Sequence, residues 1–235
     1  MEFKCLGTGS SGNCYIVKSN RGSLLMLDAG VDIIKIIKEV NLNNLDLCYI
    51  SHIHKDHSKS QKNLVERGVK ILEPITQEIT KTLVEAKCGA KLSLLTIPVQ
   101  HGDCINSALI IQDGEETILY VTDFSLCKYD LSNFKFTSVV VECNYIKDNV
   151  VNVSRDNLSR VLENIGRHQS LEGCELFLSK LDLSKCKEII LIHFSDNYSD
   201  PIYMGSYINN KYKIKTLCCR KYGGYDTYEW CLSIW

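Results

Sequence analysis

The chain has 235 residues, enough for one large domain or two small ones, and its 45% hydrophobic and 23% charged content is that of an ordinary globular protein. A net charge of −1 excludes a generic polycation that coats nucleic acid, though not a local basic patch. No apolar run approaches the ~18 residues of a membrane span, and the opening MEFKCLGTGSSGN lacks an apolar signal core, so no membrane contact and a cytoplasmic, reducing location are expected. Twelve cysteines invite a zinc-ribbon or disulfide reading, but no two stand at Cys-x-x-Cys spacing. They read instead as small buried hydrophobes.

In chain order, Glu2–Leu6, Cys14–Val17 and Ser23–Leu27 read as strands, the last ending in Asp28-Ala29-Gly30. Val31–Val40 has apolar residues at 33, 34, 36, 37 and 40, which predicts a helix. Leu47–Ile50 is a short apolar run, expected as a buried strand, and Ser58–Arg67 is expected to be helical with Gly68 as its stop. Val69–Leu72 reads as a strand and Thr76–Ala86 as a helix. Strands are expected at Leu92–Ile97, Ser107–Gln112 and Thr117–Val121, with Asp113-Gly114 as a hairpin signal between the last two. Phe136–Val141 and Glu188–Ile192 read as buried strands, Arg155–Ile165 and Leu171–Leu181 as helices. Lys211–Lys215 alternates like an edge strand. Strands with interspersed helices predict a layered α/β domain, two central sheets covered by helices.

The densest chemical signal is His52-x-His54-x-Asp56-His57, directly after the Leu47–Ile50 strand. Three imidazoles and a carboxylate within six residues are costly to bury unless something binds them. Extended alternation sends His52 and His54 to one side, and a turn after them can send Asp56 and His57 to a neighbouring point, an arrangement suited to two metal ions. Three further residues repeat the pattern of apolar strand then ligand: His101 after Leu94–Val99, Asp123 after Ile118–Val121 and His193 after Ile189–Ile192. Any one of them could be a core polar group or turn residue; the repetition points to a shared metal centre.

In these pieces the sequence resembles the metallo-β-lactamase superfamily: Leu27-Asp28-Ala29-Gly30, the His52–His57 string, His101, Asp123 and His193, spread over nearly the whole chain. The resemblance implies one four-layer αββα domain over 1–235 with a dinuclear metal site. It implies that His52, His54 and His101 hold one metal, that Asp56, His57 and His193 hold the second, and that Asp123 bridges them. The expected cofactor is two divalent ions, zinc or manganese, with iron also suited to nitrogen and carboxylate donors. Within the superfamily, Gly7-Thr8-Gly9-Ser10-Ser11-Gly12-Asn13 is similar to the Gly-Ser-x-Gly-Asn opening of the WalJ (YycJ)-type exonuclease subgroup. Arg167-His168-Gln169-Ser170, Glu142-Cys143-Asn144-Tyr145 and Ile192-His193-Phe194-Ser195-Asp196-Asn197 resemble further segments of it, with Arg167, Tyr145 and Tyr198 as departures.

The expected reaction is hydrolysis of a phosphodiester, DNA favoured, by a water that both metals acidify. Asp123 would hold the bridge, Asp56 would orient the nucleophile, and His168 would protonate the leaving oxygen or clamp a phosphate, unless it is a plain helix-end histidine. Asp28 either holds a ligand histidine by its ring N–H or is a turn residue. Ser11, Asn13, Asn144, Ser195 and Asn197 are candidate substrate contacts. The 7–13 loop either presents N–H groups to a phosphate or is a tight strand connection. Lys211, Lys213, Lys215, Arg220 and Lys221, interleaved with Tyr212, Tyr222 and Tyr225, either track a nucleic-acid backbone or protect an edge strand. Competing readings are an RNA-processing nuclease, a cyclic phosphodiesterase, a thioester or lactone hydrolase, and a metal-binding module without catalysis.

Overall fold

The computed structural model describes residues 1–74, 76–150, 161 and 165–228. A five-stranded sheet contains β1 (Glu2–Gly7), β2 (Cys14–Lys18), β3 (Leu24–Leu27), β4 (Leu47–Tyr49) and β5 (Ile71–Leu72) in that order. An eight-stranded sheet runs from β6 (Thr80–Glu85) through β7 (Lys91–His101), β8 (Cys104–Asp113), β9 (Glu116–Val121), β10 (Ser138–Glu142), β11 (Glu188–Ile192) and β12 (Lys215–Cys219) to β13 (Tyr225–Tyr228). The sheets face each other across a core in which Tyr15, Leu25, Leu27 and Tyr49 of the smaller sheet meet Leu94, Leu109, Tyr120, Val140 and Ile190 of the larger.

Helices close both outer faces. α1 (Ile33–Glu39), α2 (Lys55–Ser58) and α3 (Gln61–Glu66) lie on the side of the five-stranded sheet, where Ile36 and Leu64 are buried against Ile16, Met26 and Cys48. α4 (Lys147–Val150) is a single turn. α5 (Leu171–Leu178) and α6 (Pro201–Tyr212) cover the eight-stranded sheet through Leu171, Cys174, Leu178, Met204 and Ile208. Each fully buried Leu or Ile of these layers contributes about 1.5–3 kcal/mol of transfer free energy. The result is the four-layer αββα sandwich that the sequence predicts.

β9, β10, β11 and β12 pair in parallel. Buried on both faces, they read as unbroken apolar runs such as Val139-Val140-Val141 and Ile189-Ile190-Leu191-Ile192. The Asp113-Gly114 signal does mark the β8–β9 hairpin. All eleven described cysteines are free, and seven are buried, as expected of packing residues.

Two elements differ from expectation. Thr76–Ala86 is not a helix: Thr80–Glu85 is edge strand β6, paired with β7 over six positions. Its Thr-x-Thr-x-Val alternation half-buries Thr82 and Val84, and a ladder partner outweighs weak helical spacing. Lys211–Lys215 is not an edge strand: Lys211 and Tyr212 end α6, Lys213 turns the chain at φ 56°, and β12 lies inside the sheet between β11 and β13. Asp200 starts that helix by accepting from the Tyr203 N–H (3.0 Å), with Pro201 in its first turn. The helix expected over Arg155–Ile165 lies outside the described residues except at Val161 and Ile165, which are helical.

Candidate metal centre

Every candidate ligand stands where a strand stops. Asp28 follows β3, the His52–His57 segment follows β4, His101 ends β7, Asp123 follows β9, Glu142 ends β10 and His193 follows β11. Asp28, Asp123 and His193 take left-handed backbone, at φ 58°, 50° and 58°. Such a conformation costs a non-glycine residue about 1–3 kcal/mol, and here it turns three side chains out of the sheets towards one point.

Two groups of donors converge. His52, His54, His101 and Asp123 form one; Asp56, His57, His193 and Asp123 form the other. In the first, His54 Nδ1 lies 2.9 Å from His52 Nε2 and 3.3 Å from His101 Nε2, while Asp123 Oδ2 is 3.9 and 3.8 Å from those two Nε2 atoms. In the second, Asp123 Oδ1 lies 3.3 Å from both His57 Nε2 and His193 Nε2, and Asp56 Oδ2 lies 3.4 and 3.6 Å from the same two nitrogens. The two oxygens of Asp123 thus face different groups. His54 is the N-cap residue of α2 but makes no side-chain cap bond, so its ring is committed to this cluster.

The donor set fits divalent cations. His193 Nε2 is buried with no hydrogen-bond partner, although it points at two carboxylates. Burial, with the neighbouring His57, lowers the His52 pKa to about 2, and burial lowers that of His101. Both rings are therefore neutral, with lone pairs to give. Burial works against ionisation of Asp56 and Asp123, but the His193 and His57 imidazoles outweigh it and hold both below the usual carboxylate range. Neutral imidazoles and ionised carboxylates are what zinc, manganese and iron bind.

Behind these donors sits a supporting layer. Asp28 is fully buried and accepts from His57 Nδ1–H (2.6 Å), the Tyr120 hydroxyl (2.5 Å), the Ser51 N–H (2.7 Å) and the Ser51 hydroxyl (3.0 Å). That fixes the His57 tautomer and aims Nε2 at the cluster. His101 Nδ1 meets the Arg167 carbonyl (3.2 Å), and the His193 N–H donates to Thr8 Oγ1 (2.7 Å). Glu142, which the sequence reading did not single out as a donor, is fully buried and lies 2.5 Å from His168 Nδ1 and 3.3 Å from His193 Nδ1. With Asp123, His168 and His193 it forms a third convergent group. Its signal was the same one, a charged residue after the run Val139–Val141. Burial disfavours a charged His168, yet Glu142 and Asp123 outweigh it and raise the pKa.

An open cleft of about 410 Å³ lies over the donors, lined by Asn144, Arg167, His168, Ser195 and Asn197 among others. Four of the predicted substrate or proton-handling residues, Asn144, His168, Ser195 and Asn197, therefore border the same space. Asn13 does not. It is fully buried, with Nδ2 3.0 Å from His57 Nε2 and its oxygen accepting from the Gly9 N–H, so it anchors the ligand loop. Ser11 is exposed but outside the cleft wall, where Ser10 stands instead. The N–H groups of Thr8, Gly9, Gly12 and Asn13 already bond within the protein, so the 7–13 loop acts as a tight connection. The basic run is no stripe either: Lys211 pairs with Glu175, Arg220 with Asp226 and Lys221 with Asp196.

No family model and no curated protein matches the sequence. Solved structures do. The metallo-β-lactamase fold protein YhfI from Bacillus subtilis superposes with TM-score 0.65 at 16% identity, covering 96% of this chain and 99% of that one. A diphosphatase of the PhnP family gives 0.57 at 16% identity, covering 98% of each chain. Human tRNase Z, short form, gives 0.55 at 12% identity, covering 83% of this chain and 93% of that one. On strand order, layering and these superpositions, the chain has the metallo-β-lactamase fold.

Proposed function

We propose that this protein is a metal-dependent phosphodiesterase, specifically a nuclease of WalJ type with DNA as its favoured substrate. The observation that carries the reading is Asp123, whose two oxygens face two separate His-rich donor groups under one open cleft. His52, His54 and His101 would hold one divalent ion, Asp56, His57 and His193 the other, with Asp123 shared. When bound, such ions lower the pKa of a water and neutralise charge developing on phosphate oxygens.

The chain's own residues supply the rest. Asp56, half-buried in the lining of the cleft, would orient a water by accepting its proton in a hydrogen bond. His168 has Nδ1 occupied by Glu142, which leaves Nε2–H to give a proton to the leaving oxygen. Asn144 is tied to the backbone of His193, and Arg167, Ser195 and Asn197 add donors suited to phosphate oxygens. The diphosphatase and tRNase Z neighbours also act on phosphate-containing substrates, which supports phosphorus over a thioester or lactone carbon. The free cysteines agree with a reducing, cytoplasmic setting.

The test is a panel of duplex DNA, single-stranded DNA, RNA and bis-p-nitrophenyl phosphate, with Zn²⁺ and Mn²⁺ added separately to metal-stripped protein. Metal-dependent DNA cleavage, lost in an Asp56→Ala, His57→Ala double variant, is expected. Loading of metal without turnover of any phosphodiester would refute the proposal.

A further inference from the structure

Three of the five basic residues of the 211–221 run are paired within the protein, which turns attention to other surfaces that could grip an extended substrate. A second groove, about 350 Å³, lies beside the metal cleft and is lined by Gln77, Gln100, Gly102, Leu126, Lys128 and Tyr129 among others. His101 lines both spaces, so the groove starts at a donor of the metal centre. Part of its wall is held in place: the Gln100 N–H donates to the Leu126 carbonyl (2.9 Å) and the Ser125 N–H to the Gln100 carbonyl (2.8 Å), which ties Ser125 and Leu126 to the end of β7.

Its chemistry is unlike that of the cleft. Among the described residues, no carboxylate lines it. Lys128 is exposed and enters no ion pair among the described residues, unlike Lys211, Arg220 and Lys221. The nearby Asp130 does not line this groove; it accepts from the Ser132 N–H (2.9 Å) and borders a neighbouring cavity. Tyr129 is 39% exposed and Leu126 is 44% exposed, so an aromatic face with an apolar neighbour borders the cation. An uncompensated lysine beside an exposed aromatic ring is the pairing that holds one phosphate and one base of an unpaired strand. A duplex would keep its bases stacked on each other and could not offer one to Tyr129.

Building on the phosphodiesterase reading, we infer that the groove is a subsite for a nucleotide next to the scissile bond. The substrate it fits is an unpaired strand, single-stranded DNA on the reading above. Tyr129 stacks on the base and Lys128 neutralises the adjoining phosphate, while small phosphodiesters use the metal cleft alone.

The experiment compares kcat/KM for a single-stranded octanucleotide, a dinucleotide and bis-p-nitrophenyl phosphate, using the metal-loaded protein and its Tyr129→Ala, Tyr129→Phe and Lys128→Gln variants. The octanucleotide is expected to be preferred over the dinucleotide. Tyr129→Ala should lower the ratio of octanucleotide to bis-p-nitrophenyl phosphate kcat/KM by about tenfold through KM, and Tyr129→Phe should restore it. Lys128→Gln should make the salt dependence of octanucleotide KM shallower by about 0.7 in log–log slope, the share of one phosphate on a single strand. Equal ratios in all variants, or no preference for length, would overturn the subsite while leaving the phosphodiesterase reading intact. If no phosphodiester is cleaved, that reading fails, and fluorescence anisotropy of a labelled octanucleotide decides the groove: weaker binding by Tyr129→Ala supports it, equal binding refutes it.

Discussion

Asp28 shows how one buried carboxylate can govern a site it does not enter. It takes four hydrogen bonds, one of them from the ring of His57, and holds the proton on Nδ1, so that Nε2 is the nitrogen that must release its proton to a metal. Asp28→Asn keeps the shape but removes the charge. Metal affinity, read by competition with a chelator, is expected to fall about 10- to 100-fold with the fold retained by circular dichroism. Unchanged affinity would remove Asp28 from the support of the centre. His57 and His193 carry a second prediction. Burial opposes their protonation, but Asp123 outweighs it for both, joined by Asp28 at His57 and by Asp56 and Glu142 at His193, which reaches about 10. Without metal both rings hold protons at neutral pH, and a metal binds only the neutral nitrogens. Binding should therefore expel protons, and affinity should rise with pH from neutrality towards about 10. Calorimetry in buffers of different ionisation enthalpy reads this directly, and a buffer-independent heat would contradict it.

At the scale of elements, the centre depends on how closely two turns approach. The Asp28–Gly30 turn after β3 bonds the His57 carbonyl through the Ala29 N–H (2.7 Å) and the Asn13 carbonyl through the Gly30 N–H (2.8 Å). A Cβ on Gly30 would stand 1.6 Å from the Asp56 carbonyl oxygen, which is backbone and cannot swing aside. Gly30→Ala is expected to displace the His54–His57 segment, with loss of metal binding and a lowered denaturant midpoint. By contrast, Asp200→Ala removes only the cap of α6, on the far side of the larger sheet. It should cost about 0.5–2 kcal/mol in chemical denaturation and leave metal stoichiometry alone. Equal effects of the two variants on metal content would mean that the turn has no special role.

Across the molecule, the donors come from both sheets. The five-stranded sheet brings His52, His54, Asp56 and His57; the eight-stranded sheet brings His101, Asp123 and His193. An ion bound by donors of either group would thus cross-link the two halves of the sandwich, beside Tyr120 to Asp28 and Tyr49 to Ser107, which already span them. Any ligand that binds only the folded state stabilises it by mass action, about 2.7 kcal/mol at a free concentration 100 times Kd. Stripping the metal should lower the unfolding midpoint, and adding Zn²⁺ or Mn²⁺ back should restore it in a concentration-dependent way. An unfolding midpoint indifferent to metal would argue against a centre that joins the sheets.

Much of this was legible in the residues. The His52–His57 string packs four donors into six positions, and His101, Asp123 and His193 follow apolar runs whose β-branched residues suit strands. Local chemistry of that density survives any details of packing, so the layered class could be read along the chain, as could the seven side chains that the fold brings into two convergent groups. Other features are set by distant partners. β6 is a strand because β7 offers it a ladder, and Lys211, Arg220 and Lys221 are spent because Glu175, Asp226 and Asp196 lie opposite. Glu142 counts because His168 and His193 close on it, and Asn13 is an anchor because the loop buries it beside His57. The sequence by itself determined which side chains could carry metal chemistry, because that depends on residue type and short spacing. Only the tertiary structure decided which of them meet and which are neutralised by a partner, because those outcomes depend on contacts between residues far apart in the chain.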